Sequence, residues 1–341
     1  MNTAAPPAPR SLALDGAPGC GGSHGAEPAE SPSIGSAGTV DVLTLAEGAD
    51  LSHPAARRAA LEALENGGVV FLPRSGFALS ARERALLSDL RNILVKTPDA
   101  ANGRPTIIFQ PARGAIAKFN FAFSGRRLVR AEVKRSVLPE LEAMFVRFAE
   151  WSEALTGRLL PSYRAVLGRD RITYRPNQRS AVQPLHVDSA YGYPTQGRGM
   201  LRVFCNIDPL DRPRIWQIGE PFESFARRFL PSVRQQRPGL AAVILARLGV
   251  VGGAKTAYDT LIAELRRLGK HDEEYQRTAP RRLVEFPSGS TWLAITDLVL
   301  HGAVSGQHSL DQTFLLPPEG MQDASRSSLR ILERLSGRTL A

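Results

Sequence analysis

The sequence predicts a mainly β, α+β fold: a double-stranded β-helix, or jelly roll, with helices on its N-terminal side and a helical insertion. Two observations carry that reading. From residue 172 onward, short β-branched and aromatic runs recur at even spacing between turns that bear Pro and Gly, which suits a rolled sheet better than a parallel α/β one. Helical periodicity breaks into this series only over 221–276.

Residues 1–38 are rich in Pro, Gly, Ser and Ala and nearly lack large apolar side chains. They cannot bury enough surface to offset the entropy of ordering, so a disordered tail is expected. One domain is expected over 39–341, with a helical and stranded part over 39–170. In that part PAARRAALEALE (54–65) has helical spacing and is stopped by Asn66-Gly67-Gly68. Val69 to Leu72 then reads as a buried strand, and Ser80 caps a helix over ARERALLSDLRNIL. The run 104–123 reads as strands, and 138–155 as a long helix whose Leu141, Phe145, Phe148 and Trp151 form a core-facing stripe. The catalytic β-helix is expected over 171–220 and 277–317, in RITYR, the segment ending LHVD, MLRVFCNI, RIWQI, RRLVEF, STWLAI and QTFLL. Within the insertion 221–276, Leu261, Leu265 and Leu268 share one helical face, and a last helix is expected over 322–336.

The chain has 341 residues, 43% of them apolar, which suffices for a sizeable core. Its net charge is +10, and only five of its 43 basic residues are lysine. That balance favours anionic partners such as acidic lipid head groups or carboxylated and phosphorylated small molecules. The arginines are scattered and no nucleic-acid motif is present, so nucleic acid is not the expected partner. Two cysteines in unrelated settings, Cys20 and Cys205, imply no disulfide framework and fit a reducing compartment. No secretion signal is recognisable, and the most apolar stretch, 239–254, is too short and too interrupted to span a bilayer.

Against this background LHVDS (185–189) stands out. Residues two apart on a strand point to the same side, so His186 and Asp188 can reach one ion while Val187 packs behind. A third candidate ligand, His301, follows the strand STWLAI and precedes Gly302, where the absence of a Cβ lets backbone approach closely. Two imidazoles and a carboxylate on one face of a metal are typical of non-haem Fe(II) oxygenases, although an isolated H-x-D also occurs by chance. His24, His53, His271 and His308 are expected to face solvent. Such iron sites use a co-substrate as electron source, commonly 2-oxoglutarate, whose far carboxylate needs a cation. The stretch 302–314 contains neither Arg nor Lys. In LRVFCNI (201–207), Arg202, Phe204 and Asn206 share the face opposite the apolar odd positions. Arg202 is therefore the candidate cation, with Asn206 and Gln312 adding hydrogen bonds. By alternation alone, Arg202 could equally be the solvated side of an edge strand.

The blocks LHVDSAYGYPTQGRGMLRVFCNIDPLDRPRIWQIGEPFE and FPSGSTWLAITDLVLHGAVSGQHSLDQTFLLP together resemble the bacterial Kdo (3-deoxy-D-manno-oct-2-ulosonic acid) hydroxylases. These are Fe(II)/2-oxoglutarate-dependent dioxygenases. The resemblance covers residues 171–317 and the start of the insertion, and departs from the family's Ala-Phe-containing segment at 189–193. It implies iron at His186, Asp188 and His301, with 2-oxoglutarate and O2 consumed. It also implies hydroxylation at C3 of Kdo on a lipid A precursor, at the cytoplasmic side of the inner membrane. Arg175, Arg179 and Arg198 are candidate anchors for the anionic substrate, though each could instead be a solvated strand-edge charge. The basic charge and the amphipathic insertion would suit peripheral contact with an anionic membrane surface. The alternatives are a 2-oxoglutarate oxygenase for another anionic sugar or small molecule, a cupin-like metal protein without a keto acid, and a basic nucleic-acid-binding protein.

Overall fold

In the computed structural model the described residues are 38–74, 76–95, 106–116, 120–124, 127–131, 133–176, 182–189, 194–233 and 255–341. The expected tail, apart from Gly38, and the apolar stretch 239–254 lie outside them. So does Arg179.

The architecture is mixed α+β. Helix α1 (Pro54–Glu65) coincides with its predicted span, with His53 as N-cap and Pro54 pre-set for the first turn. The predicted second helix is divided into α2 (Ala81–Leu87) and α3 (Leu90–Ile93). Ser80 and Glu83 form a capping box on the first, and Asp89 accepts from Arg91 N at 2.8 Å to start the second. Helix α4 (Leu138–Leu159) buries Leu141, Phe145 and Phe148 as their spacing requires. Two further helices, α5 (Phe222–Phe229) and α6 (Ala257–His271), come from the predicted insertion, which ends in the short α7 (Glu273–Thr278). The last helix, α8 (Ser328–Ser336), begins six residues later than predicted, because Ser327 is the residue that caps it.

Thirteen strands are described. They are β1 (Val42–Thr44), β2 (Val69–Leu72), β3 (Ile107–Gln110), β4 (Ala115–Ile116), β5 (Asn120–Ser124), β6 (Arg127–Ala131), β7 (Gly168–Arg175), β8 (Gly199–Asn206), β9 (Arg214–Pro221), β10 (Arg282–Phe286), β11 (Thr291–Ile295), β12 (Val299–Ser305) and β13 (Ser309–Leu316). An eight-stranded sheet runs β1-β2-β11-β8-β13-β7-β3-β4, and a three-stranded sheet runs β10-β9-β12. Strands β5 and β6 form a separate hairpin. Among these pairings only β1 with β2 is parallel. The chain passes back and forth between the two larger sheets: β8 lies in the large one, β9 and β10 in the small one, β11 in the large, β12 in the small and β13 in the large.

Strand alternation distributes the side chains of β8. Leu201, Val203 and Cys205 join the buried clusters beneath the helices, whereas Phe204 points between the sheets. There Phe204 stacks on Trp292 (ring centroids 5.3 Å apart) and Trp292 on Phe286 (4.1 Å), with Trp216 edge-on to Phe204 at 4.8 Å. This aromatic plug closes one part of the inter-sheet space, and the polar residues described below occupy another.

His53 and His271 are exposed, as expected, but His308 is not. It sits in the β12–β13 turn at φ 48°, is 3% exposed, and its Nδ1 lies 2.7 Å from the Tyr174 hydroxyl. The turn folds the ring inward onto β7 instead of leaving it in solvent. Burial pushes the imidazole down to about 4, so between roughly pH 6.5 and 4 the unfolded chain binds a proton that the folded one refuses. Stability from this residue is present above pH 6.5 and is lost on acidification towards 4. In denaturant titrations across that window, His308→Asn, which tolerates the left-handed turn but cannot titrate, is expected to lose less stability than the wild type.

Candidate metal centre and active site

The segment 182–189 runs along the free side of β12. Backbone bonds hold it there: Gln183 N to Ala303 O (2.8 Å), His186 N to His301 O (3.1 Å), His301 N to His186 O (3.0 Å), and Asp188 N to Thr296 O (2.8 Å). Between the first two donors the segment advances three residues while β12 advances two. Pro184 thus falls in a bulge, where its missing N–H is not needed. Val187, fully buried, packs beneath the helices, and His186 and Asp188 face the inter-sheet space.

One ligand atom from each of His186, Asp188 and His301 lies within 4.8 Å of the others. Nε2 of His186 is 3.7 Å from Asp188 Oδ1, and Nε2 of His301 is 3.9 Å from Asp188 Oδ2. The protonation state of both rings follows from their neighbours. His186 Nδ1 is 2.8 Å from Pro184 O and His301 Nδ1 is 2.9 Å from Val299 O. A carbonyl only accepts, so Nδ1 carries the hydrogen and Nε2 the lone pair. Burial holds His186 well below the ordinary imidazole value, with His301 adding to the effect, and burial likewise lowers His301. Trp216 stacks on the His301 ring, with centroids 5.0 Å apart. The donor set therefore fits a divalent metal such as Fe(II): two neutral imidazoles with inward lone pairs and one carboxylate.

Asp188 is kept ionised against its burial by Arg202, with His301 and His186 contributing, and its pKa lies far below the usual carboxylate range. Arg202 Nη1 donates to Asp188 Oδ2 at 2.6 Å. Its Nε donates to Asp311 Oδ1 at 3.1 Å and its Nη2 to the same oxygen. Arg175 donates to the other oxygen of Asp311. Burial opposes the charge on Arg202, but Asp311 and Asp188 outweigh it and raise its pKa further. Arg202 therefore points between the sheets and lies beside the triad, not in solvent.

The other expected partners of Arg202 are elsewhere. Gln312 pairs in register with Val203, and Thr313 pairs with Arg202. Alternation thus sends Gln312 to the opposite face, where its amide donates to Asp170 O, Arg171 O and Thr313 O. Asn206 shares the face of Arg202 but spends its amide on Arg212 O (2.9 Å) and Phe286 O (3.0 Å), and accepts from Asp208 N. It pins the strand end and takes no part in the site. Arg198 bonds through Nε to Thr195 O.

Two residues of the site had little or no sequence signal. Asp311 reads as one polar position in a strand, and only the pairing of β13 with β7 and β8 sets it between two arginines. Gln183 accepts from Ala303 N at 3.3 Å, which turns its Nε2 towards His186 Nε2, 2.9 Å away. The His186 lone pair is thereby engaged by an amide hydrogen. Its position three residues before His186 was the only available hint.

Such a fold with a two-histidine, one-carboxylate centre defines a class, the Fe(II)/2-oxoglutarate-dependent dioxygenases. The chain belongs to the Kdo hydroxylase family, whose model, described as 3-deoxy-D-manno-oct-2-ulosonic acid (Kdo) hydroxylase, matches residues 48–339. Solved structures of the Kdo hydroxylase KdoO, a non-haem Fe(II) α-ketoglutarate-dependent dioxygenase, are similar to it. The complexes with succinate and Fe(III), with α-ketoglutarate and Fe(III), and with cobalt(II) each share 31% identity at a TM-score of 0.74. They cover 88% of this chain and 97% of KdoO. A search of curated proteins found no match.

Gly302 bears out the expected close approach. A Cβ there would collide with Gln183 O and stand 3.0 Å from Gln217 Nε2 and 3.1 Å from Pro184 O. Gly302→Ala must push the ligand-bearing segment away from β12. It is expected to weaken Fe(II) binding by about 10- to 100-fold, measured by titrating the metal-stripped protein.

Proposed function

We propose that this enzyme hydroxylates C3 of the Kdo sugar of a lipid A precursor, with Fe(II) held by His186, Asp188 and His301 and the far carboxylate of 2-oxoglutarate held by Arg202. The convergence of His186, Asp188 and His301 is the observation that carries this reading, and family membership supplies the sugar. We read 39–341 as one domain and the large and small sheets as the two halves of a double-stranded β-helix. The alternation of β8 to β13 between them supports this.

Charge supports a dicarboxylate co-substrate. Arg175 and Arg202 offset Asp311 and Asp188, and Arg266 adds a further positive charge near Asp188, so the cluster carries no excess negative charge without metal. A divalent metal adds two positive charges to a buried space, and 2-oxoglutarate is a dianion that neutralises them. When bound, Fe(II) with 2-oxoglutarate and O2 supplies an oxidant able to hydroxylate a C–H bond; one oxygen atom enters succinate as CO2 leaves, and the other enters the sugar. The chain's own residues present neutral imidazoles, keep Asp188 ionised, orient the keto acid through the Arg202 fork and pack Trp216 against the His301 ring. Arg175 and Arg198, together with Arg179, remain candidates for the anionic groups of the substrate. Among the described residues no helix is long and apolar enough to cross a membrane. The net charge of +10 suits peripheral contact with the anionic cytoplasmic leaflet, where a Kdo-bearing lipid would be met.

The test is incubation with Fe(II), 2-oxoglutarate, O2 and a Kdo-bearing lipid A precursor, followed by mass and fragment analysis of the released sugar. One added oxygen at C3 is expected, absent with Asp188→Ala; consumption of 2-oxoglutarate only with a different anionic sugar would overturn the assignment. For Arg202→Met the KM for 2-oxoglutarate is expected to rise by about 100-fold, the order that loss of one partner of a buried charge pair costs.

A further inference from the structure

Among the described residues, the segment that carries His186 and Asp188 has a β-strand on only one side. His186 exchanges both of its backbone bonds with His301, so by strand alternation the polar groups of Leu185 and Val187 point the other way. A buried edge cannot leave such groups unpaired without cost. Here the insertion pairs Leu185 N, Leu185 O and Val187 O. On α7, Gln276 Oε1 accepts from Leu185 N (2.9 Å) while its Nε2 donates to Leu185 O (3.0 Å) and to Gly269 O (2.8 Å). On α6, Arg266 Nε donates to Val187 O at 2.9 Å. One amide side chain thus imitates a neighbouring strand, making with Leu185 both bonds that a paired residue would make.

Other contacts hold the brace itself. Arg281 donates to Gln276 O and, at 3.1 Å, to Gln217 Oε1, and Gln217 Nε2 donates to Gln183 O at 2.5 Å. Beneath these bonds Leu261, Ile262 and Leu265 of α6 are buried in one cluster with Leu185 and Val187. At its start, α6 is closed by a capping box of Thr256 and Asp259, and the same Asp259 accepts from Thr195 N, just ahead of β8.

We infer that Gln276 and Arg266 are positioning residues for the metal centre, and that the insertion fixes the register and depth of the ligand-bearing edge. This rests on the reading of His186, Asp188 and His301 as the metal ligands. Residues that orient ligands from behind are worth about 10- to 100-fold in metal affinity.

The experiment titrates the metal-stripped full-length chain with Co(II) by calorimetry and follows deuterium uptake over 182–189. Gln276→Met keeps the side-chain length without its hydrogen bonds. It is expected to weaken Co(II) binding at least tenfold and to speed exchange in 182–189. Arg266→Met is the second variant, expected to act in the same direction and available should the first fail to fold. Leu141→Ala, on α4 and buried in the separate cluster with Phe145 and Phe148, is the comparator: it lowers the thermal midpoint while Co(II) affinity stays within twofold of wild type. Co(II) binding within twofold of wild type in a folded Gln276→Met or Arg266→Met chain overturns the inference. So does a Leu141→Ala chain that loses affinity in proportion to its stability. Retention of Co(II) binding by His301→Ala would instead overturn the ligand assignment, and the brace with it.

Discussion

One reciprocal backbone pair, His186 with His301, sets the functional geometry. Each residue donates to and accepts from the other, so the two rings leave their strands at the same level, with centroids 4.8 Å apart. Asp188 follows two residues later on the same face because a strand repeats every second residue. A slip of the 182–189 segment by one residue along β12 would carry His186 and Asp188 to the helix-covered side, away from His301. The features that oppose slippage are local: the bulge at Pro184, the close approach at Gly302, and the Gln276 amide on the far edge.

The second constraint is electrostatic. Asp311 and Arg202 are buried and Asp188 is mostly so, and there an unpaired charge costs far more than any single hydrogen bond returns. Their chain of contacts, ending at the partly exposed Arg175, allows the carboxylate ligand to stay ionised without a metal. It also keeps the guanidinium fork beside the ligands, where an incoming carboxylate would compete with Asp188 for the same donor. The centre is pre-organised because its charges are mutually compensated.

Much of this was legible in the sequence. The spans of α1 and β2, the apolar stripe of α4 and the alternating faces of β8 follow from periodicities of 3.6 and 2, which depend only on neighbours along the chain. His186, Asp188 and His301, which the fold brings together, could be singled out because residue types that bind metals are few in kind and sparse here. Gln312 shows where such reading stops: next to Asp311 in sequence, it lies on the other side of the sheet, and its polarity gave no clue to which side that was. His308 likewise read as a turn residue, and its burial arises from Tyr174 on a distant strand.

By itself, the sequence determined the chemistry that could be offered and the local elements that offer it, because residue type and short-range periodicity are written along the chain. Tertiary structure alone decided which polar groups meet. The pairing of β13 with β8 placed Asp311 against Arg202, and the packing of α6 and α7 placed Arg266 and Gln276 behind the ligand-bearing edge. Those contacts join residues 79 to 109 positions apart. Register and packing at that separation are settled by the burial of whole faces, a property of the folded assembly that no local pattern encodes.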